Sequence, residues 1–188
     1  MKQLMLFIFS LSILLACNSS RTAEVNEDLD KTFFPIAGTI QSELREIDSL
    51  PIAIIRYTRM GDHSDTVVFD KNSMKILVDE LIKPDISQPD LKKYYKETVF
   101  MDDATNTVTM SYTTEANEPE VRKIEVTINP ENQKVRTIYV EKFKDLADSS
   151  IQQKMIWTCG RNLQVISLVN KKDKGETLKT EKYVWGIN

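Results

Sequence analysis

Few side chains in this sequence could perform acid–base or nucleophilic chemistry together. His63 is the only histidine among the 188 residues, and its neighbours Asp62 and Ser64 are of the types found in a hydrolase triad. A triad needs side chains that converge from separate segments, whereas consecutive residues of a turn point in different directions. We therefore predict that His63 lies in a solvated turn and that the chain has no catalytic residue.

Cys159 is the other candidate nucleophile. It follows Trp157 and Thr158 at a predicted strand end, where a lone cysteine is usually a small, buried and inert apolar side chain. We predict a structural role for it. Hydrolysis would require a cleft in which Cys159, His63 or a group of carboxylates meets oriented partners, and it is the last of the functions we consider.

The sequence also lacks the residue patterns that bind metals, phosphates or nucleic acids. One histidine beside two carboxylates is not a transition-metal ligand set, and residues 102–106 lack the glycine and glutamate of an EF-hand loop. The five glycines are far apart, although phosphate-binding loops need several together. Lysine and arginine are scattered, and the net charge is −3. We expect no metal, no cofactor and no nucleic-acid partner.

Aromatic residues near the C-terminus are candidates for binding an apolar ligand. They lie on predicted strands and could line a groove between a sheet and its helices: Tyr139, Trp157, Tyr183 and Trp185. Core packing is the commoner role of aromatic side chains on antiparallel strands. A ligand site would require a contiguous apolar cavity of about 300 Å³ or more.

The first residues of the chain have the pattern of a secretory signal. Lys2 provides a positive charge, and residues 4–15 form an apolar run of twelve that only two serines interrupt. A helix that spans a bilayer needs about 20 apolar residues. This shorter run is therefore typical of a cleaved signal peptide.

The run ends in Leu14, Leu15, Ala16 and Cys17, which resembles the lipobox of bacterial lipoproteins. The resemblance implies cleavage between Ala16 and Cys17, a diacylglyceryl group on the Cys17 sulfur and acylation of the new amine. Several acyl chains anchor a protein stably, whereas a single chain binds only marginally. A plain cleaved signal or an uncleaved anchor is the alternative, and without lipid on Cys17 a Cys17–Cys159 disulfide becomes possible.

Polar residues follow the lipobox. Residues 18–31 have almost no apolar side chains and cannot bury enough surface to fold, so we predict a polar tether over 17–31. No acidic run follows Cys17 directly, which favours a position on the outer membrane that faces the periplasm. The chain then divides into a signal peptide over 1–16, the lipidated cysteine with its tether over 17–31, and one domain over 32–188.

Apolar residues in the first part of the domain recur at helical spacing. The first helix follows a stripe over 33–47, with Thr32 as its cap and Pro51 as its stop. The second helix follows Ser73 and ends at Pro84. Between them we predict a hairpin whose turn contains His63.

Beyond residue 96 the period changes to two, which is typical of strands with one buried and one wet face. With the hairpin, the predicted strands are 52–60, 66–69, 97–102, 107–114, 122–129, 134–143, 152–159, 162–170 and 177–185. We predict an α+β fold, in which a curved antiparallel meander carries two helices on its apolar face. The order of elements is α-β-β-α, followed by seven strands.

Two segments, residues 33–52 and 65–85, look like those of small uncharacterised outer-membrane lipoproteins of Gram-negative bacteria. That resemblance implies a location, and it implies no activity and no site residue. Our preferred interpretation is a non-catalytic interaction or assembly module that holds a partner protein of the envelope. A carrier of a lipid or another apolar ligand is the second interpretation, and a hydrolase is the third.

The lipobox leads to a prediction that a mass measurement tests. Mature protein recovered from the envelope should begin at a lipid-bearing Cys17, because several acyl chains at this residue are what would anchor it. An unmodified Cys17 thiol, or an intact Met1 on protein from the cytosol, would contradict the prediction.

Overall fold

A single antiparallel sheet dominates the computed structural model, which describes residues 22–24 and 32–186. The strands are β1 Thr22–Glu24, β2 Ile54–Met60, β3 His63–Phe69, β4 Lys96–Asp102, β5 Thr107–Thr113, β6 Val121–Ile128, β7 Val135–Asp145, β8 Ser149–Thr158, β9 Asn162–Lys171 and β10 Gly175–Val184. Hydrogen-bonded neighbours follow the order β1-β4-β5-β6-β7-β8-β9-β10-β2-β3. The sheet is open, with β1 at one end and β3 at the other. The prediction of a sheet-dominated antiparallel architecture is confirmed.

Strands β4 to β10 form a meander in which each strand pairs with the next. They correspond to the seven strands predicted beyond residue 96, because alternating side chains and short turns specify them locally. Gly160 lies in the tight turn between β8 and β9 with a φ of 70°, a conformation that strains residues with a Cβ. The hairpin of β2 and β3 lies beside the last strand, with Arg56 opposite Tyr183.

The end strand β1 consists of three residues that the sequence analysis placed in the polar tether. The backbone of this strand pairs with β4, and Ala23 lies opposite Val99. Pairing along an edge uses backbone donors and acceptors, so a segment without large apolar side chains can take part in it. The prediction of a tether over 17–31 did not include this pairing, and the other residues of that range, like the signal peptide over 1–16, lie outside the described residues.

Three helical segments precede the meander: α1 Ile36–Ser49, α2 Lys71–Ile82 and the single turn α3 Pro89–Lys92. Helix α1 begins after Pro35 and not at the predicted cap, Thr32, and no side chain caps it. The backbone N–H of Phe34 instead donates to the Tyr112 hydroxyl of β5 over 3.0 Å. This contact holds the preceding residues in a non-helical conformation.

Helix α2 begins earlier than the predicted start after Ser73. Its N-cap is Asp70, whose carboxylate accepts the Ser73 backbone N–H at 2.8 Å and the Ser73 hydroxyl at 3.1 Å. The backbone hydrogen bond from Ser73 is the largest of the effects that lower the pKa of Asp70. An aspartate at this position satisfies a backbone donor that the first helical turn leaves without a partner.

Helices and strands contribute to one apolar core. Helix α1 buries Ile36, Ile40, Leu44 and Ile47, and α2 buries Met74, Val78, Leu81 and Ile82. Trp157 of β8 and Tyr112 of β5 are the largest side chains that are completely buried. Within 32–186, no polar or charged residue is buried. The stability of the domain therefore depends on apolar packing.

Two isoleucines on the helices provide a matched test of this core. Ile40 is completely buried, whereas the Ile76 side chain of α2 is 65% exposed. We expect Ile40→Ala to lower the free energy of unfolding by about 2–5 kcal/mol, because it removes apolar contacts and leaves a cavity. Ile76→Ala should change it by less than about 1 kcal/mol. Urea unfolding of both variants measures the difference, and equal losses would contradict this description of the core.

Candidate functional site

Glu43 links α1 to the hairpin of β8 and β9. Its carboxylate accepts hydrogen bonds from the Trp157 indole N–H and from the backbone N–H of Gly160. The Glu43 residue is only partly exposed, and the two donors lie 114 and 117 residues further along the chain. Hydrogen bonds to a charged acceptor are stronger than those between neutral groups. Glu43 therefore connects α1 to two positions near the end of β8 through hydrogen bonds.

Cys159 lies beside this carboxylate and is partly buried. Burial raises the pKa of the Cys159 thiol to about 12, and the negative charge of Glu43 and a hydrogen bond to it contribute to the rise. The thiolate is the nucleophilic form of cysteine. At neutral pH the Cys159 side chain is protonated, so its surroundings favour a packing role over a nucleophilic one.

His63 is the first residue of β3, although the sequence analysis placed it within the turn. It lies opposite Met60 and is exposed, as are Asp62 and Ser64. Four strand spacings separate β3 from β8, which is about 19 Å. His63 and Cys159 are therefore not brought together. Among the described residues, no group of His, Cys, Asp and Glu side chains is arranged to hold a metal ion.

The four aromatic candidates do not line one groove. Trp157 and Trp185 are buried with their ring centres 4.9 Å apart, and Tyr183 packs edge-on against Phe69, also at 4.9 Å. Tyr139 alternates with the buried residues of β7, so it lies on the opposite face of the sheet. Its hydroxyl donates to Glu141 at 3.0 Å. Three of the candidates are thus core residues, and the fourth is separated from them by the sheet.

A polar cluster that the sequence analysis missed lies where β2 pairs with β10. The Tyr183 hydroxyl donates to the Glu181 carboxylate at 3.3 Å, and Lys179 pairs with the same carboxylate at 3.0 Å. The Arg56 guanidinium lies over the Phe69 ring. Its Nε atom is enclosed and has no hydrogen-bond partner within the described chain. Because this atom is enclosed, a ligand cannot reach it without rearrangement of its neighbours.

A groove of about 490 Å³ lies between α1 and α2. It exceeds the lower limit of about 300 Å³ for ligand pockets, but helix residues alone form its lining: Gln41, Leu44, Arg45, Lys75, Ile76, Val78, Asp79 and Ile82. Leu44, Val78 and Ile82 are almost completely covered by the core. An occupant would therefore contact little of their apolar surface. Two of the charges are paired within the domain, Lys75 with Asp48 and Asp79 with Lys83.

Strand β3 is the longer of the two end strands of the sheet in the described part of the chain. Its seven residues pair with β2 without a bulge, and no strand lies on its other side within the described part of the chain. Natural edge strands are usually protected by charged side chains, especially lysine, or by proline, bulges or short length. The β3 sequence has no lysine and no proline, and Asp65 is its one charged residue. Val68 of this strand is 73% exposed on the outer face, beside Ile55.

Neither a search of the described helices for membrane spans nor a comparison with known proteins indicates a further site. In the described chain, no helix has both the length and the apolar character needed to cross a membrane. No protein-family model, curated protein or solved structure matches the chain.

Glu43→Gln tests the link between α1 and the β8–β9 hairpin. The amide keeps the shape of the side chain but offers one acceptor oxygen, so one of the two N–H donors loses its partner. We expect a loss of about 1–3 kcal/mol in the free energy of unfolding, measured with urea. The pKa of Cys159 should also fall, because a nearby negative charge is gone, while burial keeps it above its ordinary value.

The pH dependence of Cys159 alkylation measures that second effect. In Glu43→Gln the rise in alkylation rate should begin at lower pH than in the unchanged protein, with the modified peptide identified by mass. Glu46→Gln, an exposed residue of the same helix, is the control and should alter neither quantity. An unchanged alkylation profile in Glu43→Gln would show that its charge does not act on the thiol.

Proposed function

We propose that this chain is an envelope lipoprotein, anchored through acyl chains on Cys17 to the periplasmic side of the outer membrane. The lipobox pattern and the short apolar run before it support the anchor. The folded part would then act next to the membrane as a non-catalytic interaction or assembly module. The separation of His63 from Cys159, and the protonated state of that thiol, favour binding over hydrolysis.

The finer architecture belongs to the same proposal. The domain is an α+β unit in which α1 and α2 lie together on the apolar face of a curved sheet. Lys71 of α2 supports this arrangement, because its ammonium donates to the Ile47 and Leu50 carbonyls at the end of α1. Lys142 of β7 donates to the Glu80 and Lys83 carbonyls at the end of α2. Cations at helix C-termini are favourable because the carbonyls there carry partial negative charge.

The free edge of β3 is the observation that carries the interaction role. An extended segment of a partner can add to such an edge through backbone hydrogen bonds, and side-chain contacts on alternate residues give specificity. The exposed Val68 and its neighbour Tyr57, 48% exposed on the same face, offer apolar contacts to that segment. In the proposed arrangement both helices lie on the face of the sheet opposite Val68 and Tyr57. They would therefore not obstruct a partner segment that contacts these two side chains.

A carrier of an apolar ligand is the second candidate function, and the groove between α1 and α2 is the observation that favours it. The exposed Ile76 on its wall offers an apolar contact. Against this function, the space between helices and strands is filled by core residues, and the groove floor is already covered. A carrier needs a site that encloses most of its ligand, so we place this function second.

Val68→Lys tests the docking edge without disturbing the core, because the side chain is already 73% exposed. The lysine should block strand addition, since a charge at an edge opposes pairing with a further strand. The measurement is crosslinking in intact envelopes, followed by mass spectrometry of proteins and lipids. We expect a partner to be crosslinked to the unchanged protein and not to the variant. Leu178→Lys, on the same outer face at 54% exposure, is the control and should retain the partner.

Two results would contradict the proposed function. A partner that is captured equally by Val68→Lys and by the unchanged protein would exclude the β3 edge as its docking site. Purified protein that carries bound lipid, together with envelopes that yield no specific protein partner, would favour the carrier function.

A further inference from the structure

We infer that the partner at β3 is a second copy of this chain, paired antiparallel along the same strand about a two-fold axis at Thr66. The inference rests on the proposed docking role of β3 and adds the identity of the partner. A closed pair of identical chains needs a surface that is complementary to itself. The sequence of β3 and the two ends of the sheet provide the arguments.

The side chains of β3 are compatible with self-pairing in this register. Residues 64, 66 and 68 share the outer face, because successive side chains of a strand alternate. With Thr66 on the axis, Thr66 faces Thr66 of the second copy, and Val68 faces Ser64 of the second copy. Pairs of threonines across antiparallel strands are favourable contacts. The exposed Val68 gains a neighbour in both copies.

The inner face of β3 is compatible with the same register. There, Asp65 faces Val67 of the second copy, so the two carboxylates do not lie directly opposite each other. A register centred on Asp65 would place the two carboxylates together, and like charges directly opposite are destabilising. His63 faces Phe69 of the second copy. In this register all seven residues of the strand have a partner.

The other end of the sheet explains why the assembly stops at two copies. Head-to-tail stacking would require β3 of one copy to pair with the free side of β1, the end strand of the next copy. Strand β1 has only three residues, Thr22–Glu24, so this end of the sheet offers a short edge to a further strand. Of the two end strands in the described part of the chain, β3 is therefore the longer, and a surface that binds its own copy in this way closes after one contact.

Anchoring would favour the pair further. Two chains held by lipid to the same membrane have a much higher effective concentration than two free chains, and tethering raises avidity without any new contact.

The test uses the full chain purified in detergent. Light scattering over a range of concentrations should show a monomer–dimer equilibrium, and Val68→Lys should weaken dimerisation by at least about tenfold. Thr66→Cys should give a covalent dimer with a short bismaleimide, because directly opposite residues have Cβ atoms about 5 Å apart. Leu178→Cys, which is exposed on the same face but two strands from the edge, should give none.

The results separate failure of this inference from failure of the proposed function. A monomer at all concentrations, with no Thr66→Cys dimer, would contradict the inference that the partner is a second copy. If Val68→Lys still abolishes capture of a different envelope protein in that case, the proposed docking role of β3 is supported. If Val68→Lys changes neither dimerisation nor capture of a partner, both the self-pairing and the docking role of β3 are contradicted. Assemblies that grow beyond two copies with concentration overturn the closed pair.

Discussion

The burial of Trp157 is the constraint on which the arrangement of the described elements depends. Its ring is completely buried, and leaving a buried donor without a partner costs about 1–3 kcal/mol. Glu43 supplies the acceptor from α1, and the carboxylate also takes the Gly160 N–H in the turn that follows. One side chain thus connects α1 to β8 and to the turn that follows it. Ile40 and Leu44, which lie one helical turn apart on the apolar face of α1, are buried in the core.

The two ends of the open sheet differ in a way that follows from backbone chemistry. Each edge of a sheet presents N–H and C=O groups that a further strand can pair with. At β4 the chain supplies that strand itself through β1. At β3 it supplies none among the described residues, and the strand lacks lysine, proline and a bulge. A solvated edge satisfies its backbone groups with water, but the exposed Val68 contributes apolar surface that water does not stabilise.

The elements that could be predicted from sequence are those that local pattern specifies. Residues 97–185 alternate with period two between turn residues, so their strands were predictable, and the stripe of α1 was predictable from its period. The pairing of β10 with β2 and the contact of Glu43 with Trp157 join residues over 100 positions apart, and no local pattern encodes them. The face of Tyr139 could be predicted, because its two neighbours Ile138 and Val140 are aliphatic, and they are the buried residues of β7. The predicted aromatic groove combined residues from opposite faces of the sheet, because that prediction did not take the alternation into account.

The nature of the proposed site explains why an inventory of reactive side chains found so little. Strand addition uses backbone N–H and C=O groups, which every residue other than proline possesses. Such a site is distinguished by what its strand lacks, namely the residues that would block pairing, and by where topology places the strand in the sheet. The sequence of β3 shows the first property. Only the strand order shows the second, because a segment with the composition of β3 would be an ordinary inner strand if another strand lay beside it.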